Sequence, residues 1–361
     1  MLTIKNIMGQ NVRKGEELKE GFLKDFLFKN HLIENIHSNM DVFQFSNGFS
    51  NLTYLLQIEN KEYVLRRPPF GAIKRGHDMG REYKVLSRLN NIFTKAPKAF
   101  AYTEDETIIG SAFYVMEKVN GIILTAKEAS KRKVTAEEFP IIANSWLETF
   151  VELHQVDYKS IGLDDLGKPN GYVERQVRNW GKQYLKAATS EVPAAINVMK
   201  WLDENQPAEY DHSLIHNDFK YDNVIFKDEN WREVAAVLDW EMCTLGDPMM
   251  DLGTSIAYWS MASDGPIVNQ GIPSPTAMPG NPSRTEVVEM YAQKSGRSIN
   301  NLIFYYVFGL YKIAVIAQQI YYRYHHGMTS DPKFSKLDKA AELLCIMGQQ
   351  AISKKRIDNL F

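Results

Sequence analysis

One ten-residue run constrains this chain more than any other part of it: Leu214-Ile215-His216-Asn217-Asp218-Phe219-Lys220-Tyr221-Asp222-Asn223. Two apolar residues lead in, as at the end of a short strand. The run then holds the pattern H-x-D-x-x-x-x-N, formed by His216, Asp218 and Asn223. Sixteen residues beyond Asn223, the apolar run Ala236-Val237-Leu238 ends in Asp239. Singly these features are weak, because Asp and Asn between strands often only make a turn. Jointly they describe strand, polar loop, strand, hairpin and a strand that ends in a second acid.

Those residue types suit phosphoryl transfer. Such a reaction needs the phosphate charge neutralised and the nucleophile held in line. One carboxylate must meet the attacking hydroxyl. A second carboxylate and an amide oxygen can hold Mg²⁺, a hard cation that prefers oxygen ligands. Asp218 and an Asn five residues later can reach nucleophile and metal from one loop, and the hairpin can return Asp239 to the other side of the metal. Protein kinases meet the same demand with a catalytic-loop Asp and Asn and a metal-binding Asp.

The rest of the chain is organised around that run. Leu18, Phe22, Phe26 and Leu27 recur at helical spacing, which predicts an amphipathic helix within 15–36. Three antiparallel strands are expected at Val42–Ser46, Leu52–Ile58 and Glu62–Arg66, the last stopped by Pro68-Pro69. A helix at His77–Leu89 and a strand at Phe113–Val119 follow. Beyond Asn120-Gly121 the periodicity turns helical: Ala136–His154, Tyr172–Lys186, Val192–Glu204, Pro248–Tyr258 and segments to the end. The Pro/Gly-rich stretch from Ala262 to Pro282 has the composition of a mobile segment. This predicts an α+β chain with a strand-rich nucleotide-binding lobe over 1–119 and a larger helical lobe over 120–361.

Upstream residues are candidates for the same site. The hairpin Phe45-Ser46-Asn47-Gly48-Phe49-Ser50-Asn51 can lay backbone N–H groups over phosphates, through Ser46, Asn47, Gly48 and Ser50; Asn-Gly is equally a plain hairpin turn. Arg66 stands on the third strand where a kinase places its phosphate-binding Lys, and Arg67 points to the other face. An arginine can grip phosphate bidentately but is no neutral replacement for lysine. Glu82, on the following helix, is the candidate that orients Arg66. The Glu117 carbonyl and the Val119 N–H are placed to meet adenine at a hinge. For each of these the plainer reading is a solvated surface charge or an ordinary turn.

Composition bounds the partners. With 361 residues, 44 % hydrophobic and 24 % charged, the chain can bury a large core. A formal net charge of -2 supplies no overall field to draw nucleic acid or anionic membrane, so neither is expected as a partner. The two cysteines, Cys243 and Cys345, build no disulfide framework or CxxC site, which suits a reducing, cytoplasmic setting. No apolar run precedes the charges of the N-terminus, so no signal peptide is expected. The longest apolar stretch, Leu302–Ile320, is interrupted by Lys312, Gln318 and Gln319 and reads as a buried helix.

Taken together, HNDFKYDN and VLDWEMCTLGDPMMDLG resemble the aminoglycoside phosphotransferase/choline kinase-like family, and the resemblance runs from about Phe45 to the C-terminal helices. FSNGFSNLTYLL, YVLRRPP, REYKVLSRL, LHQVD, GYVERQVRNW and GDPMMDLG are similar to the branch fused to some acyl-CoA dehydrogenases. The resemblance implies a two-lobed protein-kinase-like fold and the use of ATP and Mg²⁺. Asp218 would act on the acceptor hydroxyl, His216 would brace the loop, Asn223 and Asp239 would hold Mg²⁺, and Asp251 would support the loop from below. Arg175 and Arg178, on a mixed and slightly basic helix, are candidates for an anionic or CoA-linked substrate; the alternative for both is a solvated helix face. The expected activity is transfer of a γ-phosphate to a small-molecule hydroxyl, with a hydroxyacyl-CoA as one candidate. Aminoglycoside phosphorylation and a nucleotide-binding pseudokinase acting through a partner are the alternatives. Nucleotide preference and oligomeric state stay open.

Overall fold

The computed structural model describes residues 10–45, 51–69, 78–265, 268–269 and 274–361. The Ser46, Asn47, Gly48 and Ser50 positions lie outside them. The chain divides into two units: the first comprises the sequence to Asn120 with Ile161–Leu163 and Ala235–Cys243, and the second holds the rest.

The first unit is built on an antiparallel sheet. Its strands are β1 (Gln10–Asn11), β2 (Met40–Gln44), β3 (Leu52–Ile58), β4 (Lys61–Arg67), β5 (Ala99–Thr103) and β6 (Phe113–Glu117), in spatial order β1-β2-β3-β4-β6-β5. Tight register, such as Leu55 opposite Val64 and Arg66 opposite Tyr114, follows from the alternation of the strands. β4 stops at Arg67 because Pro68 has no N–H to continue a ladder. The edge strand β5 was not expected from AFAYT, a weak pattern that pairs with β6 through a bulge between Ala99 and Ala101. One face buries Tyr54, Leu56, Leu65, Phe113 and Val115 with Leu23 and Leu27 of α1 (Glu20–Lys29). That helix is shorter than its periodicity predicts, because Asn30 caps it and His31 adopts a left-handed φ of 58°. On α2 (Met79–Leu89), Asp78 caps the first turn by accepting from the Arg81 N–H at 2.9 Å. A four-residue helix, α3 (Glu106–Ile109), precedes β6. The segment 235–243 joins this unit because the Val237 N–H donates to the Lys95 carbonyl at 2.7 Å and Trp240 packs edge-on against Phe93.

The second unit is mainly helical. Its helices are α4 (Ala126–Arg132), α5 (Phe139–His154), α6 (Tyr172–Ala187), α7 (Pro193–Glu204), α8 (Pro248–Ala257), α9 (Arg284–Ser295), α10 (Leu302–His325) and α11 (Leu337–Lys354). Two short antiparallel pairs carry the polar loop. β7 (Ile122–Ile123) lies beside β9 (Val224–Phe226), and β8 (Ser213–Ile215) beside β11 (Thr244–Gly246). The strand β10 (Val234–Val237) leads toward Asp239.

Helix α10 is long and apolar enough to cross a membrane by length and composition, yet 72 % of its apolar window is buried within the protein. It is the core helix the interrupted stretch predicts. It meets α8 at two glycines: a Cβ on Gly253 would sit 2.2 Å from the Tyr305 carbonyl oxygen, and one on Gly309 would sit 2.3 Å from the Gly253 carbonyl oxygen. The described parts of the 262–282 stretch are anchored. Asp264 forms a buried ion pair with Arg284, the Thr276 hydroxyl donates to the Ser260 carbonyl, and the Trp259 indole donates to the Pro282 carbonyl.

Asp247 caps α8, accepting from the Met249 N–H at 2.8 Å, and is fully buried. Burial pushes its carboxyl from the usual 3.8 to about 6, against the pull of the Met249 amide and the Tyr305 hydroxyl. A carboxyl whose folded pKa is raised holds its proton better in the native state. Its contribution to stability is therefore present below pH 3.8 and is lost as pH rises to about 6. Over that window about 3 kcal/mol should disappear, at about 1.4 kcal/mol per unit. Asp247→Asn keeps a cap oxygen without the charge, so urea denaturation of this variant between pH 4 and pH 7 should show a flatter pH dependence than the parent.

Candidate active site

Within the first unit, four acidic or amide side chains gather round Arg66. Strand alternation turns Arg66 toward α2, where its Nη1 donates to Glu82 Oε1 at 2.6 Å. Its Nη2 lies 3.0 Å from Asp239 Oδ1 and 3.6 Å from Glu241 Oε2. Asn51 Nδ2 donates to the same Glu241 oxygen at 2.8 Å. Arg66 and Glu82 are nearly inaccessible, whereas the Asp239 side chain is 36 % exposed. Burial alone would lower the Arg66 guanidinium, but Glu82, Tyr114, Asp239 and Glu241 hold it well above its usual range. Burial raises the Glu82 carboxyl while Arg66 pulls it down. Neither arginine of the Arg66-Arg67 pair is a solvated strand-end cation: Arg67 is fully buried on the opposite face and donates to the Ile109 carbonyl at 2.9 Å.

Asp239 follows β10 by two residues and takes a left-handed φ of 67°, capping the turn Trp240–Met242. That turn brings Glu241 back toward Arg66. Glu241 was not singled out in the sequence; its signal was its position one short turn after Asp239. Glu117 ends β6, its N–H donating to the Lys98 carbonyl at 2.8 Å and its carboxylate accepting from the Lys98 N–H. Val119 follows, half-buried.

Within the second unit, the loop after β8 is held by its backbone. Both carboxylate oxygens of Asp251, on α8, accept from loop amides: the His216 N–H at 2.6 Å and the Asn217 N–H at 2.7 Å. His154, at the end of α5, completes the support. Its Nε2 lies 3.2 Å from Asp251 Oδ2 and its Nδ1 lies 2.7 Å from the Tyr291 hydroxyl. Burial depresses the His154 imidazole, with Asp251 opposing. Burial would raise the Asp251 carboxyl, but His154 and the loop amides bring it below its usual range. So Asp251 is an ionised acceptor and His154 a neutral donor. His154 stands in the LHQVD segment, yet its role becomes visible only in three dimensions.

Asp218 follows Asn217, whose φ is 68°. The Asp218 N–H lies 3.3 Å from His216 Nδ1, so His216 braces the turn from within it. Asn223 Nδ2 donates to the Asp218 carbonyl at 2.8 Å and to Asp218 Oδ2 at 2.7 Å. That fixes the Asn223 amide with its oxygen directed away from Asp218. Lys220 Nζ reaches both Asp218 carboxylate oxygens, at 3.0 and 2.8 Å, and lies 4.7 Å above the Tyr258 ring. Burial would lower the Lys220 ammonium, but Tyr258 and Asp218 together raise it. Phe219 stacks on Phe150 of α5 at 4.2 Å between ring centroids, locking the loop to the core.

Beside Lys220 lies a cavity of about 60 Å³, walled by Trp146, Tyr221, Tyr258 and Trp259, with Ser255 and Asp222 among its polar groups. The Ser255 hydroxyl is buried and has no hydrogen-bond partner among the described residues. Arg175 lies apart from this loop's contacts: its guanidinium donates to the carbonyls of Lys168 and Asn170, clamping the turn before α6. Arg178 is exposed on the same helix. Among the described residues no cluster of three His, Cys, Asp or Glu side chains could hold a metal. The Asn223 amide oxygen in the second unit and the exposed edge of the Asp239 carboxylate in the first are each an oxygen donor of the kind Mg²⁺ prefers.

Comparison with known proteins fits this arrangement. A sequence model of the phosphotransferase enzyme family matches residues 41–273. The mouse acyl-CoA dehydrogenase family member 10 is 32 % identical over 346 residues, covering 95 % of this chain and 32 % of that protein. The rat acyl-CoA dehydrogenase family member 11 is 37 % identical over 297 residues, covering 81 % of this chain and 37 % of that protein. The chain therefore spans about a third of the length of these relatives. A crystal structure from Ralstonia eutropha, provisionally described as an aminoglycoside phosphotransferase, is 33 % identical with a TM-score of 0.79, covering 94 % of this chain and 99 % of that one. The fold is kinase-like, with the antiparallel sheet first and a mainly helical remainder after it.

Proposed function

Because this chain belongs to the phosphotransferase enzyme family, we propose that it moves the γ-phosphate of ATP to a hydroxyl of a small molecule, with Mg²⁺. The observation that carries the reading is the Asp218 loop. A carboxylate stands on a strained turn, its backbone tied down by Asp251 and its side chain bridged by Lys220 and Asn223. A structural turn needs no such scaffold. A group that must receive a proton in one geometry does.

In the proposed reaction Asp218 accepts the proton of the acceptor hydroxyl as its oxygen bonds to the γ-phosphorus. The bond from that phosphorus to the bridging oxygen breaks, and ADP leaves with the electron pair. Lys220 supplies positive charge beside the carboxylate. Arg66, oriented by Glu82, is assigned to the nucleotide phosphates. Asn223 and Asp239 would hold Mg²⁺, which neutralises phosphate charge when bound. Aminoglycoside phosphotransferases of this fold have been solved with ADP and with ATP.

For the acceptor, the cavity beside Lys220 holds charge of both signs, the Lys220 ammonium over Tyr258 and the Asp222 carboxylate, so the choice of class is drawn from the relatives. The acyl-CoA dehydrogenase relatives add an acyl-CoA context, so a hydroxyacyl-CoA is the acceptor class we propose. The Ser255 hydroxyl is free to accept or donate one hydrogen bond to it. Aminoglycoside phosphorylation is the competing activity.

ATP consumption with Mg²⁺, measured across hydroxyacyl-CoAs, amino alcohols, sugars and aminoglycosides, tests the proposal. Turnover is expected with hydroxyacyl-CoAs and not with aminoglycosides. Turnover confined to aminoglycosides would overturn the acceptor class. ATP binding without product from any acceptor would favour a partner-binding pseudokinase.

A further inference from the structure

We infer that Lys312, in the apolar core helix α10, is a positioning residue that fixes the backbone turn at Asn217 and thereby aims Asp218. The inference rests on reading Asp218 as the catalytic carboxylate. A lysine inside such a helix is costly unless it is paired. Lys312 is 2 % exposed, and its Nζ donates to the Asn217 carbonyl at 2.8 Å, with the Asn217 side-chain oxygen at 3.4 Å. The carbonyl it holds belongs to the peptide that leads directly into Asp218. Asn217 is also left-handed, with a φ of 68°, a conformation that needs support from its surroundings in any residue but glycine.

Among the groups that hold it are Asp251, Tyr172 and Lys312. Asp251 takes the Asn217 N–H, the Tyr172 hydroxyl donates to the Asn217 side-chain oxygen at 3.3 Å, and Lys312 takes the main-chain carbonyl. Neither Asp251 nor Tyr172 touches the peptide between Asn217 and Asp218. Lys312 holds its carbonyl at 2.8 Å, and the Asp218 N–H on its other edge lies 3.3 Å from His216 Nδ1, so Lys312 is the shorter of these two contacts on that plane. The ammonium lies within the fields of Asp251, Asp218 and Lys220, with the Trp180 ring 5.9 Å away. Burial depresses it to about 8, with Asp251 and Asp218 opposing. A group held against that desolvation for packing alone would be better served by methionine, which fills the same volume without a charge.

Lys312→Met and Lys312→Arg, with Asp218→Asn as control, separate the possibilities. Two readouts are taken on the full chain: turnover of Mg-ATP with the best acceptor from the panel, or with water if none is found, and amide hydrogen exchange across residues 214–223. Lys312→Met should lower kcat at least tenfold with KM for ATP unchanged. It should speed exchange in that segment at least tenfold while leaving the unfolding midpoint equal or higher. Lys312→Arg should recover part of both. If Lys312→Met leaves exchange and kcat as in the parent, or lowers kcat only in proportion to lost folded protein, the inference is wrong. If Asp218→Asn retains full turnover, the reading of Asp218 fails instead, and the exchange data still decide whether Lys312 holds the turn.

Discussion

Asp218→Asn should cut kcat by about 10²- to 10⁴-fold, the range for a positioned general base. The substitution is close to isosteric. An amide oxygen at Oδ2 could still accept from Asn223 Nδ2, whose bond to the Asp218 carbonyl is untouched. What disappears is the charge facing Lys220 and the capacity to take a proton. Lys220 then loses its counter-ion at 2.8 Å and is left facing Tyr258. ATP affinity, measured by calorimetry with Mg²⁺, should change little, because no nucleotide group is assigned to Asp218. A variant with undiminished turnover would remove Asp218 from the mechanism. A variant with parental kcat but weakened ATP binding would move it to the nucleotide.

Arg66→Met should destabilise the fold by about 3–5 kcal/mol, the range for breaking a buried ion pair by removing one partner. Three carboxylates, on Glu82, Asp239 and Glu241, converge on this one guanidinium. Glu82 has 1 % side-chain exposure, so without Arg66 its carboxylate would be a buried charge lacking its ion-pair partner. Urea midpoints measure the effect directly. Arg66→Lys should fall between parent and methionine, because an ammonium cannot span Glu82 and Asp239 in the forked geometry that Nη1 and Nη2 provide. Adding Glu82→Gln to Arg66→Met should restore part of the loss, since the uncompensated charge is removed. If Arg66→Met proves as stable as the parent, the arginine is not the keystone of the acidic group, and its assignment to phosphate would rest on resemblance alone. The comparison also bears on activity, because an arginine so heavily engaged must exchange some carboxylate contacts for phosphate.

What could be read in the sequence was what is local. The run from Leu214 to Asn223 carries strand and turn signals within ten residues, so its loop was legible; the part given to His216 came from the family resemblance. The meeting of Arg66 and Glu82 was legible because strand alternation and the helix that follows leave few alternatives. Asp251 was legible as a support through the GDPMMDLG segment. Contacts across long stretches of chain were not. Lys312 stands 95 residues from Asn217 and showed in the sequence only as an interruption of an apolar run. His154 needed α5 and α8 to be brought together, which periodicity does not specify. Arg175 and Arg178 illustrate the reverse: a basic helix face suggested a substrate contact, and one of the two guanidiniums is taken up by backbone carbonyls of its own approach loop. Strand β5 escaped notice although Phe100, Tyr102 and Thr103 favour strand, because the run is only five residues long and its pairing, through a bulge, is set by β6.

The contact between Gly253 and Gly309 has a consequence for the catalytic loop. Asp251 lies two residues before Gly253, and Lys312 lies three after Gly309. The helices touch backbone to backbone, so their separation is set by atoms that cannot change rotamer. That contact works as a fixed gauge: it determines how far two unrelated side chains, one anionic and one cationic, stand from the same residue 217. A single methyl group at either glycine would widen the gauge and shift both tethers at once. A side chain at either position would therefore be felt at residue 217, through two tethers on two different helices.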